Sequence, residues 1–162
     1  MGKPAARVGD NTAHGAPLFP GLGSLNVLIG GMPAWRGIPL AASAGVSAAQ
    51  NSANTSMRAA EGVTAGAAGT PGLPAAQLAE QTLKTSLALS MGSMMMSFAG
   101  TSDIHLCLVP VPIPPHGPGV VIDGSATVMI NGMPACMVGC TVLEGLGGPD
   151  KIVSGCANVQ IG

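Results

Sequence analysis

One short pattern occurs three times in the chain: GSLNVLIG from Gly23, GSATVMIN from Gly124 and GCANVQIG from Gly155. A β-branched run bounded by glycine reads as a short strand entering a tight turn. Repetition constrains the fold more than any other signal, because repeated units bury their apolar faces against one another. After the first two copies the chain continues Gly-Met-Pro-Ala, at 31–34 and 132–135, whereas the third copy ends at Gly162. The missing continuation stands at the other end, where residues 2–7 read GKPAAR. Joining the ends completes the third copy. The pattern therefore predicts a closed, pseudo-threefold arrangement of units 2–30, 31–130 and 131–162, with adjacent termini and strands at 25–29, 127–130 and 158–161.

The second unit is far longer than the others. Its excess, 38–100, is rich in Ala, Ser, Gly and Met and carries no strand pattern. Leu83, Leu87, Met91, Met95 and Phe98 recur at steps of four or three, which is a helical stripe. A weaker helical candidate covers 45–68, and the TPGLP run at 70–74 separates the two. An αα-hairpin packed outside the strand unit is expected, so that its removal leaves that unit folded. The apolar part of the second helix falls short of the roughly 20 residues that span a bilayer, and serines interrupt it. A helix buried against protein is the expectation.

Aromatic residues are scarce: there is no tyrosine, one tryptophan (Trp35) and two phenylalanines, Phe19 and Phe98. Each aromatic buries roughly 150–250 Å², so a conventional core is out of reach and short strands, a metal or a partner must help. Six Lys and Arg against seven Asp and Glu leave no basic footprint for nucleic acid. The N-terminal residues carry no apolar signal segment, and the four cysteines then read as reduced thiols or metal ligands. A bacterial cytoplasmic start is expected.

The stretch 103–117 places His105, Cys107 and His116 within a few proline-stiffened turns. With His14 they complete a nitrogen and sulfur set for tetrahedral zinc. The spacings H-x-C and C-x8-H match no single named zinc module. The repeat ranks the donors further. Four residues beyond Asp10 lies His14, four beyond Asp103 lies Cys107, and four beyond Cys140, which stands at the aspartate position, lies Glu144. The expected ligands are His14, His105, Cys107 and His116, with Cys140 or Glu144 as the rival for one place. Otherwise His14 and His116, each followed by glycine, are ordinary turn residues. Cys136, Cys140 and Cys156 read as small buried hydrophobes, and Met94-Met95-Met96 as core filling.

Pro4-Ala5-Ala6-Arg7, its variants Pro33-Ala34-Trp35-Arg36 and Pro134-Ala135-Cys136-Met137, and the three glycine-bounded strands resemble the PAAR-repeat proteins. The resemblance covers about a hundred residues and leaves 38–100 unexplained. Trp35, the Cys136-Met137 pair and Cys140 depart from it. It implies a mainly β fold: a small pseudo-threefold cone at 1–37 and 101–162, with a zinc near the apex typically held by three histidines and a cysteine. It also implies a role as a structural cap on the trimeric β-helical spike, the VgrG protein of type VI secretion or its counterpart in related contractile injection machines. Leu25, Val27, Ile29, Val128, Ile130, Val159 and Ile161 are the expected docking residues, with one cap per trimer, injected together with the spike.

Two other classes stand beside this one. The helical insertion could carry an effector or its chaperone, or act on a target membrane; partition of the insertion into lipid would favour that. A zinc hydrolase needs an open metal position and a general base, whereas the chain lacks H-E-x-x-H and surrounds its donors with apolar residues and proline. A non-enzymatic role is expected.

Overall fold

A computed structural model describes residues 2–110 and 115–162. The proline-rich run at 111–114, read above as a stiff connection, lies outside the described residues. The elements follow one another as β1 (Lys3–Ala5), β2 (Leu28–Ile29), β3 (Met32–Pro33), α1 (Leu40–Gly66), α2 (Leu73–Met96), β4 (His105–Pro110) and β5 (Pro115–Val121), then β6 (Met129–Ile130), β7 (Met133–Pro134), β8 (Thr141–Glu144), β9 (Asp150–Lys151) and β10 (Cys156–Ile161). It is a small mixed fold of two long helices and short strands.

The repeat copies form matching antiparallel pairs. In β2–β3, Ile29 faces Met32 and Leu28 faces Pro33; in β6–β7, Ile130 faces Met133 and Met129 faces Pro134. The third pair joins the two ends of the chain in the same register, with Ile161 facing Lys3 and Gln160 facing Pro4. The first two hairpins turn through Gly30-Gly31 and Asn131-Gly132, all at positive φ. That backbone is the type I′ turn, whose twist matches the flanking strands and which glycine and asparagine tolerate.

Strands β2 and β6 are shorter than expected, and the reason is local. Ser24 Oγ accepts the Val27 N–H at 3.0 Å, and Ser125 Oγ accepts the Val128 N–H at 3.0 Å. These serine turns bend the chain before the strand begins. The third copy has Cys156 instead, whose sulfur is a weak acceptor, and β10 runs extended from Cys156 to Ile161.

Backbone hydrogen bonds tie the copies into a cycle. Ala6 N–H donates to Cys136 O (2.9 Å), Cys136 N–H to Trp35 O (3.1 Å), and Trp35 N–H back to Ala6 O (3.0 Å). A second cycle follows the same rule: Val8 N–H to Pro33 O, Gly37 N–H to Pro134 O and Val138 N–H to Pro4 O, each at 2.9 Å. The side chains stack in layers about these cycles. Ile29, Ile130 and Ile161 pack with Ala5, Ala34 and Ala135. One residue further on, Ala6, Trp35 and Cys136 pack with Leu18, Val121, Cys140, Val142 and Ile152. Small residues suffice where three backbones meet, which is how an aromatic-poor chain closes a core.

The helices belong to this core. Val46, Ala53, Met91 and Met95 pack on Ile38, Ile104, Val120 and Leu143, with Leu87 and Phe98 against them. The stripe from Leu87 to Phe98 thus faces the strands, and the hairpin packs against them through this shared cluster. Of the methionine triplet, Met95 is fully buried and Met96 is exposed. Lys84 on α2 pairs with Glu61 of α1 and with Glu80, both at 2.7 Å. No helix among the described residues is long and apolar enough to cross a membrane.

Candidate metal centre

Strands β4, β5, β8 and β9 form one antiparallel sheet in that order. Alternation on β4 places His105 and Cys107 inward while Leu106 and Leu108 face out. His116 comes from β5 and Glu144 from the end of β8. His14 arrives on the loop after Asn11 and Thr12, anchored by Ala13 N–H donating to Lys151 O at 2.8 Å and by its own N–H donating to Asp150 Oδ1 at 3.2 Å. Room for the His116 ring comes from Gly147, at φ +91°, where an added Cβ would sit 2.9 Å from Nε2.

Three of the four expected donors, His14, Cys107 and His116, converge, and His105 falls in a neighbouring group. Cys107 Sγ lies 3.7 Å from His116 Nδ1 and 4.0 Å from His14 Nδ1. The rings of His14 and His116 meet edge to face at 4.8 Å. Glu144, named only as a rival ligand in the sequence, stands at the centre. Its Oε2 is 3.2 Å from His14 Nδ1 and in direct contact with His116 Nδ1, and its Oε1 is 3.6 Å from His105 Nε2. His105 Nδ1 lies 2.8 Å from the Pro17 carbonyl oxygen, so Nδ1 carries the proton and donates. That tautomer leaves the Nε2 lone pair facing the cluster. Asp150, which the sequence reading missed, brings Oδ2 to 3.4 Å from His14 Nδ1. Only its place between β8 and the repeat strand β10 could have flagged it. Cys140 is not among these donors: its Sγ contacts Asp123 O, and it packs with Trp35 and Cys136.

Buried anions without a matching cation are costly. Glu144 and Asp150 have wholly buried side chains, and among the described residues no Lys or Arg pairs with either. His105 Nε2 and Asp150 Oδ2 are buried without a hydrogen-bond partner. Burial works to raise the Glu144 carboxyl, but contacts from His105, Cys107, His116 and His14 outweigh it and hold the carboxyl below its ordinary value. Burial, with the charges of Glu144 and Asp150, pushes the Cys107 thiol up to about 11. A divalent cation resolves each of these strains, since it would take the orphaned lone pairs, balance the carboxylates and stabilise the thiolate. Two overlapping groups could hold one: His14, Cys107, His116 and Glu144, and His105, Glu144 and Asp150. The residues present fit a metal ion.

The expected docking residues divide in two. Leu25 (86 % exposed), Val128 and Val159 lie on the surface and Val27 is half-buried, whereas Ile29, Ile130 and Ile161 turn inward and build the first core layer. The alternate strand positions Leu28 (61 % exposed) and Met129 (50 % exposed) carry the outward apolar surface instead.

Comparison with protein-family models, with curated proteins and with solved structures found no match in any of the three.

Proposed function

We propose that this chain is a zinc-stabilised, PAAR-like spike tip that caps the trimeric β-helical spike of a type VI secretion or related contractile injection machine. One observation carries the reading. Three copies of one hairpin unit close a cycle through the chain ends, and each copy leads towards a metal cluster drawn from all three. In this reading the strand unit is a pseudo-threefold cone. The metal sits near its apex and is structural, bound by His14, Cys107 and His116, and the resemblance adds His105. A cap of three similar units presents similar edges to three spike chains, which one ordinary surface cannot do. Each hairpin unit exposes apolar side chains: Leu25, Leu28 and Met32 in the first, Val128 and Met129 in the second, and Val159 in the third. Exposed apolar side chains of this kind are what a docking face needs. The helical hairpin, fixed to the cone by its own core, is the part available for linking an effector or its chaperone.

The test is stoichiometric. The chain is mixed with a purified trimeric spike protein of the VgrG type from the same genome, and the complex is weighed. One cap per three spike chains is the expected mass. A three-to-three complex, or no complex with any such spike encoded there, overturns the proposal.

A further inference from the structure

We infer that Glu144 is itself a metal ligand, completing a tripod with His14 and Cys107 that takes one donor from each repeat, with His116 as the fourth donor. The inference rests on the metal reading above and concerns which side chains reach the ion.

The repeat positions are fixed by their hydrogen bonds. Asp10 accepts from Arg7 three times, from the backbone N–H (2.8 Å), Nε (3.1 Å) and Nη2 (3.0 Å). Asp103 accepts from Arg36 in the same three ways, at 2.8, 3.0 and 2.9 Å. Asp103 is therefore the counterpart of Asp10, separated from its arginine only because both helices intervene. In the third unit Met137 and Cys140 replace the charged pair, yet Cys140 N–H donates to Met137 O at 3.1 Å, as Asp10 N–H donates to Arg7 O at 3.1 Å. Four residues beyond these three positions lie His14, Cys107 and Glu144. All three reach one cluster.

The four side chains stand near the separations that one ion would impose. A tetrahedral ion with nitrogen or oxygen donors at about 2.0–2.1 Å and sulfur at about 2.3 Å separates its donors by about 3.3–3.6 Å. Glu144 Oε2 to His14 Nδ1 is 3.2 Å, and the sulfur stands 3.7 and 4.0 Å from the two imidazole nitrogens, while Glu144 Oε2 and His116 Nδ1, in direct contact, part to admit an ion. His105 Nε2 falls in a different group, with Glu144 and Asp150, which does not include the sulfur. With its Nδ1 proton given to the Pro17 carbonyl, His105 turns only a lone pair towards Glu144 Oε1, 3.6 Å away, and makes no hydrogen bond to it.

Cobalt(II) loaded into the full chain in place of zinc is the probe, read by visible absorption and by X-ray absorption at the metal edge. The expected wild-type site has one sulfur and two imidazoles, with a four-coordinate spectrum. Glu144→Gln should lose that spectrum and bind cobalt at least a hundredfold more weakly, while His105→Gln keeps the spectrum with a smaller loss of affinity. Three imidazoles on the wild-type ion, or a Glu144→Gln protein with an unchanged spectrum, overturn the assignment and leave a structural metal intact. Should Glu144→Gln not fold, the wild-type imidazole number decides alone. A wild-type protein that takes up neither cobalt nor zinc overturns the metal reading and the Glu144 assignment together.

Discussion

Arg36 and Asp103 lie 67 positions apart, yet they repeat bond for bond the local pairing of Arg7 with Asp10. The helical hairpin thus enters between the two halves of one turn without opening it. Asp103 also accepts the Gly23 N–H at 3.0 Å, so one carboxylate joins β4 to the first hairpin. The hydrogen bond to Asp103 holds the Arg36 guanidinium above its ordinary value. Arg36→Ala leaves that buried carboxylate unpaired and should cost about 3 kcal/mol. Arg7→Ala, at the more exposed pair, should cost about 1 kcal/mol. Urea unfolding of both variants measures the difference, and equal losses would sink the comparison.

Met95 is fully buried where α2 meets the strands. Met95→Ala should destabilise by about 2–4 kcal/mol, as cavity-forming substitutions do. Met96→Ala, next along the helix but exposed, should change stability by less than about 0.5 kcal/mol. If Met95→Ala is equally silent, the helices do not share the core of the strand unit.

Metal removal should loosen the cluster. Structural zinc contributes about 10–16 kcal/mol of binding free energy in small peptides, so chelator should lower the melting temperature by well over about 10 °C. Cys107→Ala should reproduce the effect without chelator. Cys156→Ala, in the hairpin core layer away from the donors, should keep full metal content. Melting curves and metal analysis on the same samples test all three statements.

The pH dependence has a definite sign. Without metal, the Cys107 thiol is pushed up to about 11, first by burial. Burial also raises Cys140, and Cys136 well above its ordinary value. The unfolded chain therefore loses these protons before the folded chain does. Stability of the metal-free protein is complete below about pH 8.5 and should fall as pH rises from there towards 11. Metal binding behaves oppositely, since the thiol must lose its proton, and affinity should climb about tenfold per pH unit near neutrality. Thermal melts of chelated protein from pH 7 to 10.5, and competition titrations near pH 7, measure the two slopes.

Substituting Leu28→Asp and Met129→Asp on the exposed hairpin positions should leave melting temperature and metal content unchanged. The same pair should abolish co-sedimentation with the trimeric spike. Retained binding would move the docking face elsewhere.

The closure of the ring was legible in the sequence because Pro4-Ala5-Ala6 continues, across the chain ends, a pattern that Gly155–Gly162 leaves unfinished. Convergence of His14, Cys107 and His116 followed from donor chemistry and repeat spacing. Strand length was less legible, because a serine three residues before Val27 or Val128 can serve either an extended strand or a turn, and the hydrogen bond decides. The inward turn of Ile29, Ile130 and Ile161 was hidden for a related reason. Alternation says that neighbours face opposite ways, but not which of them faces the core. The role of Asp150 depends on a loop brought back from β8, which no local pattern announces.

Strand β1 is made first, and its partner β10 is the last strand of the chain to be made. Until Cys156–Ile161 emerges from the ribosome, Lys3–Ala5 has no strand to pair with, and the ring that Ala6 shares with Trp35 stays open until Cys136 is made. Every edge of that ring spans a long stretch of chain, which slows folding through the entropy of closing large loops. The helical hairpin, whose contacts are local, can form long before. Completion of the strand unit therefore waits on β10, and a nascent chain stalled before Cys156 should be held with β1 unpaired and open to chaperones and proteases.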